Sequence, residues 1–229
     1  IAGTCLSGLL DIDGGDVEAL ADLSRIRSAQ GRHAEVAELL TRRVDVEMSP
    51  EARLDLRRQL AALYAGPLDD VAQATDAYRG ILDEEPTDLA AMSALEQIYE
   101  KGKKWDDLRD LIERRLDVAH TDAERIAARV RLARLSEQAF GKRAEAMSQL
   151  REILEMDPSN EEALDELERL LAAEGQWDEL VEQTERRIAS AGGEKAVGLL
   201  VRLAGIHGES RKDAAKSVET HVRFRAVDP

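Results

Sequence analysis

The side chains most often used for catalysis or metal binding are few in this chain and are not spaced as a site requires. A single cysteine, Cys5, excludes an internal disulfide and a cysteine-based zinc site. The histidines share no metal-ligand spacing and form no HExxH sequence; they are His33, His120, His207 and His221. Glycine-rich phosphate loops and the GxSxG nucleophile motif are also missing. We therefore predict a protein without enzymatic activity, bound metal or cofactor.

Carboxylates are abundant, with 47 acidic against 32 basic residues and a formal net charge of −15. So many acids on solvated helices form close pairs without any catalytic role. The negative charge disfavours nucleic acid as a partner, because its binding depends on Lys and Arg neutralising phosphates. No apolar run reaches the length of about 18 residues that spans a bilayer, so membrane insertion is not expected.

Paired arginines are the most regular chemical feature of the sequence. Arg42-Arg43, Arg114-Arg115 and Arg186-Arg187 follow one another at a constant interval, which defines a 72-residue period. Such pairs could bind the carboxylates of an acidic partner. Alternatively, they lie in the last turn of a helix, where cations suit the helix dipole and reach neighbouring carboxylates. We favour this structural interpretation, because surface ion pairs of that kind are common.

Other residues share the 72-residue period. Leucines recur at positions 23, 95 and 167, and one slot carries His33, Trp105 and Trp177, which we interpret as packing residues. Apolar residues at i, i+3 and i+4 spacing divide the period into two units of about 36 residues. No run of alternating β-branched residues predicts a strand. The sequence thus predicts an all-α fold, an α-α superhelix or solenoid of antiparallel helix pairs, with about 12 helices plus a partial N-terminal one.

Several helix starts can be read from capping residues. Ser49-Pro50 places a capping serine before a proline in the first helical position. Thr121 and Glu124 have the spacing of a capping box. A capping Asp or Asn also recurs with the 72-residue period, at Asp16, Asp88 and Asn160.

The period also predicts the boundaries of the repeats. Residues 1–13 are expected to be the second helix of a truncated preceding repeat, because the sequence of residues 80–83 recurs in similar form at 8–11. The remainder is expected to form a single solenoid of six repeats: 14–48, 49–86, 87–120, 121–158, 159–192 and 193–229. Terminal repeats normally carry a polar capping face, and neither end shows one. We therefore expect a segment of a longer protein, open to self-association through its uncapped repeat ends.

Aligned on this period, the repeats resemble the tetratricopeptide consensus, which combines spaced apolar residues with Gly at position 15, Ala at 20, an aromatic at 24 and Pro at 32. The second repeat supplies Ala74, Tyr78 and Pro86 at the last three of these positions, and Gly175 of the fifth repeat falls on position 15. The sequence departs from the consensus at position 27, where a small residue is usual and the odd repeats have the second arginine of each pair. The resemblance covers nearly the whole chain.

The resemblance implies a function. In this family the first-helix positions 2, 5, 9 and 12 line a concave groove, and here positions 5 and 9 carry the candidate partner-binding residues Arg25, Arg58, Gln97, Arg134 and Arg169. The expected function is a non-enzymatic protein–protein interaction scaffold that binds a peptide or partner helix in this groove, with arginines meeting its carboxylates.

Two other functions are kept as alternatives. The chain could be a regulatory repeat region of a larger bacterial protein whose catalytic part lies elsewhere, as an excess of arginine over lysine suggests a bacterial genome. It could also be a helical-repeat RNA binder, which the net charge disfavours. Sparse cysteine favours a cytoplasmic location.

Overall fold

The computed structural model describes residues 2–210 and 213–227, and within them it shows thirteen α-helices and no strand. The helices are α1 (Ala2–Ile12), α2 (Val17–Ala29), α3 (His33–Val46), α4 (Pro50–Ala65), α5 (Val71–Glu84), α6 (Leu89–Lys101), α7 (Trp105–Asp117), α8 (Asp122–Gln138), α9 (Arg143–Met156), α10 (Glu161–Ala173), α11 (Trp177–Ser190), α12 (Gly193–Gly205) and α13 (Ala214–Val227). A π-helical turn, Ile206–Ser210, follows α12 directly. The predicted all-α fold of successive helix pairs is confirmed.

The chain divides into two compact units, Ile1–His120 and Thr121–Pro229. Unit 1 contains α1–α7 and unit 2 contains α8–α13, and within each unit consecutive helices pack against one another. The division of residues 14–229 into six repeats of one solenoid stays a prediction. The outermost residues of the predicted segments 1–13 and 193–229 lie outside the described part, as does the side chain of His221.

The helix starts follow the capping residues. Asp16, Asp88 and Asn160 each accept a hydrogen bond from the backbone N–H three residues later, at 2.9, 2.8 and 3.0 Å. Ser49 caps α4 ahead of Pro50, and Thr121 forms the predicted capping box at the start of α8. These side chains satisfy N–H groups that have no partner inside the helix, and they fix where each first helix begins.

The apolar faces of the helices form separate core clusters. In unit 2 one cluster contains Ile153, Leu167 and Leu171, all inaccessible or nearly so, and Trp177 packs against it. In unit 1, Leu20 anchors one cluster and Leu40 another. Leucine, alanine and isoleucine fill these cores, which is the composition expected for closely packed helices with few aromatic residues.

Repeated ion pairs join one helix pair to the next within each unit. The Nη2 atom of Arg79 on α5 lies 2.8 Å from an oxygen of Asp107 on α7. The guanidinium of Arg151 on α9 binds both oxygens of Glu179 on α11 at 2.9 and 3.0 Å. Both partners of the second pair lie one full period after those of the first, so the two units share this connection between second helices.

The turn between the two helices of the odd pairs needs a residue with positive φ. Gly31 and Gly175 adopt φ of 69° and 67° in this slot, whereas Lys103 occupies the equivalent position with φ of 52°. A side chain in this left-handed region is strained by contact between its Cβ and the following carbonyl, and glycine avoids the strain.

Replacing Lys103 with glycine should therefore stabilise unit 1 by about 1 kcal/mol. In a Trp177→Phe background the fluorescence of Trp105 reports the urea unfolding of unit 1. Lys101, two residues earlier, is the matched control: it ends α6 in helical conformation, so Lys101→Gly should destabilise by about 0.5 kcal/mol. Equal effects of the two substitutions would contradict the assignment of strain to Lys103.

Candidate functional site

The residues predicted to line a groove all have exposed side chains on the first helices of their pairs. Arg25 lies on α2, Arg58 on α4, Gln97 on α6, Arg134 on α8 and Arg169 on α10. Arg134 and Arg169 come together at one depression in unit 2. The other three residues belong to unit 1 and each has its own surroundings.

The two unit 1 arginines are engaged with acids of the same unit. Arg25 forms an exposed ion pair with Asp22, one turn earlier on α2. Arg58 donates to Asp55 on its own helix and to Asp88, the capping residue of α6. Arg58 therefore joins α4 to the start of α6, which gives this candidate a structural role.

The Asp88 carboxylate is nearly inaccessible, yet it is stabilised in its charged form. Burial alone would raise its pKa, but the backbone N–H of Ala91 and the guanidinium of Arg58, 2.7 Å away, outweigh that effect. The pKa of Asp88 consequently lies below its ordinary value. A carboxylate held in this way keeps Arg58 in place and reduces its availability to a ligand.

The depression in unit 2 lies between two first helices and has a volume of about 670 Å³. We call it the α8–α10 groove; its lining includes Arg134, Glu137, Gln138, Arg143, Glu166 and Arg169. Gly141, which follows α8 with φ of 65°, lies at the edge of the groove. Its lining consists of charged and polar side chains with one glycine, which suits a charged partner rather than an apolar ligand.

Ion pairs between neighbouring helices line the α8–α10 groove. Arg169 on α10 donates to both oxygens of Glu137 on α8, at 2.9 and 2.5 Å. Arg134 on α8 reaches Glu162 on α10 in the opposite direction. At the rim, Arg143 at the start of α9 lies 2.8 Å from Glu174 after the end of α10. The arginines thus alternate with acids across the groove.

These pairs are open to solvent, so the groove can exchange one carboxylate for another. The Arg169 guanidinium lowers the pKa of Glu137, which remains charged at neutral pH. Arg134 and Glu162 are both more than half exposed. Exposed ion pairs contribute only about 0–1 kcal/mol each, because water and salt screen them. A ligand carboxylate could therefore replace Glu162 on Arg134 at little cost, whereas the bidentate pair of Arg169 with Glu137, whose side chain is 21% exposed, is held more firmly.

A different arginine cluster is buried between α10 and α11. Arg187 is only 10% exposed, and it donates to Glu161, Asp165 and Glu168, each at 2.9 Å. Glu168, which is 1% exposed, also lies 2.7 Å from Arg202 on α12. This carboxylate is shielded from water and lies between the two guanidinium groups. The cluster fastens α10, α11 and α12 to one another.

The 72-residue period shows where this cluster recurs. Arg115 lies 3.0 Å from the buried Glu96 in unit 1, whereas the residue two periods before Glu168 is the uncharged Ser24. In the third and fifth predicted repeats, the second arginine of the pair, at the position where the tetratricopeptide consensus is small, therefore binds a glutamate at position 8 of the first helix. This arrangement supports the structural interpretation of the arginine pairs.

Among residues 2–210 and 213–227, no group of three or more His, Cys, Asp or Glu side chains could hold a metal ion. Nor does any helix in that part of the chain have the length and apolar character needed to cross a membrane. The groups with shifted pKa values described above are ion-pair or capping residues, and none adjoins a nucleophile arranged for catalysis.

Sequence reasoning missed two contributors to these surfaces. Arg143 was not a candidate, because it begins a second helix and reaches the groove only when α9 packs beside α10. Glu168 was overlooked on an otherwise apolar helix face. The sequence does contain a signal for Glu168: Glu96 lies one full period earlier, and the arginines that bind these two glutamates are separated by the same period.

The repeated pairs of antiparallel helices, with their capping residues and the ion pairs between them, define a helix-pair repeat protein. The sequence model of the tetratricopeptide repeat matches residues 91–126, which include most of α6, all of α7 and the start of α8. Over this segment the chain is similar to the tetratricopeptide repeat family. Proteins of this family generally mediate protein–protein interactions, and their fold is typically non-catalytic.

Solved structures with the same kind of fold are only distantly similar. A tetratricopeptide repeat protein from Parabacteroides merdae is 15% identical, with a TM-score of 0.42 over 99% of this chain and 86% of that one. YrrB, described as having an unusual peptide-binding site, is 16% identical, with a TM-score of 0.46 over 84% and 95%. PilF from Pseudomonas aeruginosa is 17% identical, with a TM-score of 0.45 over 92% of each chain. No curated protein matches the sequence significantly.

Proposed function

We propose that this chain is a non-enzymatic scaffold that binds an acidic peptide or partner helix in the α8–α10 groove. The observation that carries the proposal is the meeting of Arg134, Arg143 and Arg169 around one depression, each held by a carboxylate that solvent reaches. A partner supplies carboxylates that take the places of Glu162 and Glu174 and that approach the exposed part of Arg169, while its backbone lies in the depression.

The chemistry favours a protein over a nucleic acid. The net charge of −15 repels phosphates, and the groove offers alternating signs rather than a continuous basic strip. Guanidinium–carboxylate bonds are directional and about twice as strong as neutral hydrogen bonds, so arginines at fixed spacing select the spacing of acids in a partner. The groove is formed before the partner arrives, which reduces the entropy lost on binding.

Selection from a random peptide library displayed on phage tests this function. The immobilised chain should enrich sequences rich in Asp and Glu. Replacing Arg134 and Arg169 with glutamate should weaken the binding of the enriched peptides more than about tenfold, since two charge-assisted hydrogen bonds are lost. Arg134→Gln with Arg169→Gln should weaken binding in the same direction without new repulsion against Glu162.

A matched control changes the same charge elsewhere in unit 2. Arg125 and Lys216 lie on α8 and α13 away from the groove, so Arg125→Glu with Lys216→Glu should leave peptide affinity within about threefold. Enrichment of basic or uncharged peptides would contradict the proposal. So would undiminished binding by the Arg134 and Arg169 variants.

A further inference from the structure

A second surface in unit 2 differs from the groove in position and composition. It is a cleft of about 830 Å³ between the end of α9, the last turns of α11 and the start of α12. We call it the α9–α12 cleft and define it by Leu154, Leu164, Gln183, Arg186, Lys195 and Leu199. None of these residues lines the α8–α10 groove.

Residues of unit 1 that are equivalent by the repeat period make different contacts from those at the cleft. The slot of Arg186 is occupied one and two periods earlier by Arg114 and Arg42. Arg42 donates to the backbone carbonyl of Gly14 at 2.8 Å, and Arg114 donates to the carbonyl of Leu82. Both arginines thus cover the end of the preceding second helix. Arg186 instead pairs with Glu182 on its own helix, and its side chain is 66% exposed.

Two positions that hold buried leucines in unit 1 also differ at the cleft in unit 2. Leu10 and Leu82 are buried, but Leu154 in the equivalent position is partly exposed to the cleft. Leu39 and Leu111 are also buried, and their counterpart in α11 is Gln183, whose side chain ends in a polar amide. The replacement of a leucine by Gln183 and the different orientation of Arg186 together open the cleft.

The open cleft combines an apolar floor with cations at its rim. Leu154, Leu164 and Leu199 supply the floor. Arg186 and Lys195 stand at the rim and pair with the solvent-exposed Glu182 and Glu161; the lining as a whole carries four cationic side chains and the two carboxylates of Glu155 and Glu161. Because those ion pairs are weak in water, the two cationic side chains can exchange their present partners for a ligand carboxylate.

We infer that the α9–α12 cleft is a second peptide site, which takes an extended acidic segment whose carboxylates alternate with branched aliphatic side chains. The carboxylates meet Arg186 and Lys195, the aliphatic side chains cover the leucines of the floor, and the amide of Gln183 hydrogen-bonds the peptide backbone. In an extended segment, adjacent side chains point to opposite sides, which suits a cleft with an apolar floor and a charged rim.

Titration of the ¹⁵N-labelled chain with two short peptides, followed by NMR, tests this inference. The probes are acetylated and amidated Leu-Glu-Leu-Glu and its neutral counterpart Leu-Gln-Leu-Gln. The acidic peptide should shift the side-chain amide of Gln183 and the backbone amides of Gly192 and Gly193 in a saturable way. The neutral peptide should bind at least about tenfold more weakly.

Variants locate the binding. Gln183→Leu restores the residue of the other repeats, so it should fold and close the cleft, and peptide-induced shifts at Gly192 should disappear. Arg186→Gln should weaken the acidic peptide alone. Arg134→Gln with Arg169→Gln should leave these shifts unchanged, which separates this site from the proposed function.

The inference is overturned by shifts confined to the α8–α10 groove, by equal binding of both peptides, or by wild-type binding in Gln183→Leu. Self-association that Gln183→Leu abolishes would also overturn it, since a second copy would then occupy the cleft.

Discussion

Replacing Arg187 with methionine is expected to lower the free energy of unfolding of unit 2 by about 3–5 kcal/mol. Methionine keeps most of the length of the aliphatic stem, so the loss comes mainly from charge. Glu168 would remain buried with only Arg202 to compensate it, and Glu161 and Asp165 would lose their shared partner. Urea unfolding followed by Trp177 fluorescence in a Trp105→Phe background measures the change.

Two further variants show whether the charge is responsible. Adding Glu168→Leu to Arg187→Met should recover most of the lost stability, because an apolar pair of similar volume often replaces a buried ion pair without cost. In unit 1, Arg43→Met should change stability by less than about 1 kcal/mol, because the position equivalent to Glu168 is Ser24 and no buried carboxylate is left unpaired there. If Arg43→Met were as damaging as Arg187→Met, packing of the arginine stem would be the cause instead.

Replacing Leu171 with alanine is expected to destabilise unit 2 by about 2–5 kcal/mol. Leu171 is completely buried within the cluster that contains Ile153, Leu167 and Trp177. Its shortening removes apolar surface from the core and leaves a cavity that rigid neighbouring helices fill only in part. The same unfolding measurement as for Arg187 applies, with the Trp105→Phe chain as the reference.

Val201 on α12 provides the control for this substitution, because its side chain is largely exposed. Val201→Ala removes a similar kind of apolar group but opens no cavity, so its effect should stay within about 0.5 kcal/mol. A loss below about 1 kcal/mol for Leu171→Ala would mean that the helices close around the vacated space, and that the core is less rigid than its packing indicates.

Features fixed by neighbouring residues were accessible from the sequence. The capping side chains of Asp16, Asp88 and Asn160 act on N–H groups three residues away, so their spacing alone predicted the helix starts. The apolar period likewise predicted the helix pairs, because it reflects the 3.6-residue turn of a helix.

Contacts between helices were less accessible, because they depend on how far each helix is rotated and shifted. Nothing in the local pattern pairs Arg169 with Glu137, 32 residues away, or brings Arg143 to the same depression. The π-helical turn at Ile206–Ser210 has no local pattern that distinguishes it from the end of α12. The opening at Gln183 depends on how Leu154 and Arg186 are oriented around it, which the local sequence does not specify.

The ion pairs between second helices suggest how such a chain changes length during evolution. Arg79 reaches Asp107 and Arg151 reaches Glu179, in both cases from a predicted even repeat to the following odd one, whereas Arg223 of the predicted sixth repeat reaches back to Glu185 of the fifth. Deleting a single repeat would bring together two faces that lack this match, whereas removing or duplicating a block of one full period preserves every junction. Gene rearrangement is therefore expected to favour steps of two repeats, so that homologous chains of different length differ by whole double modules.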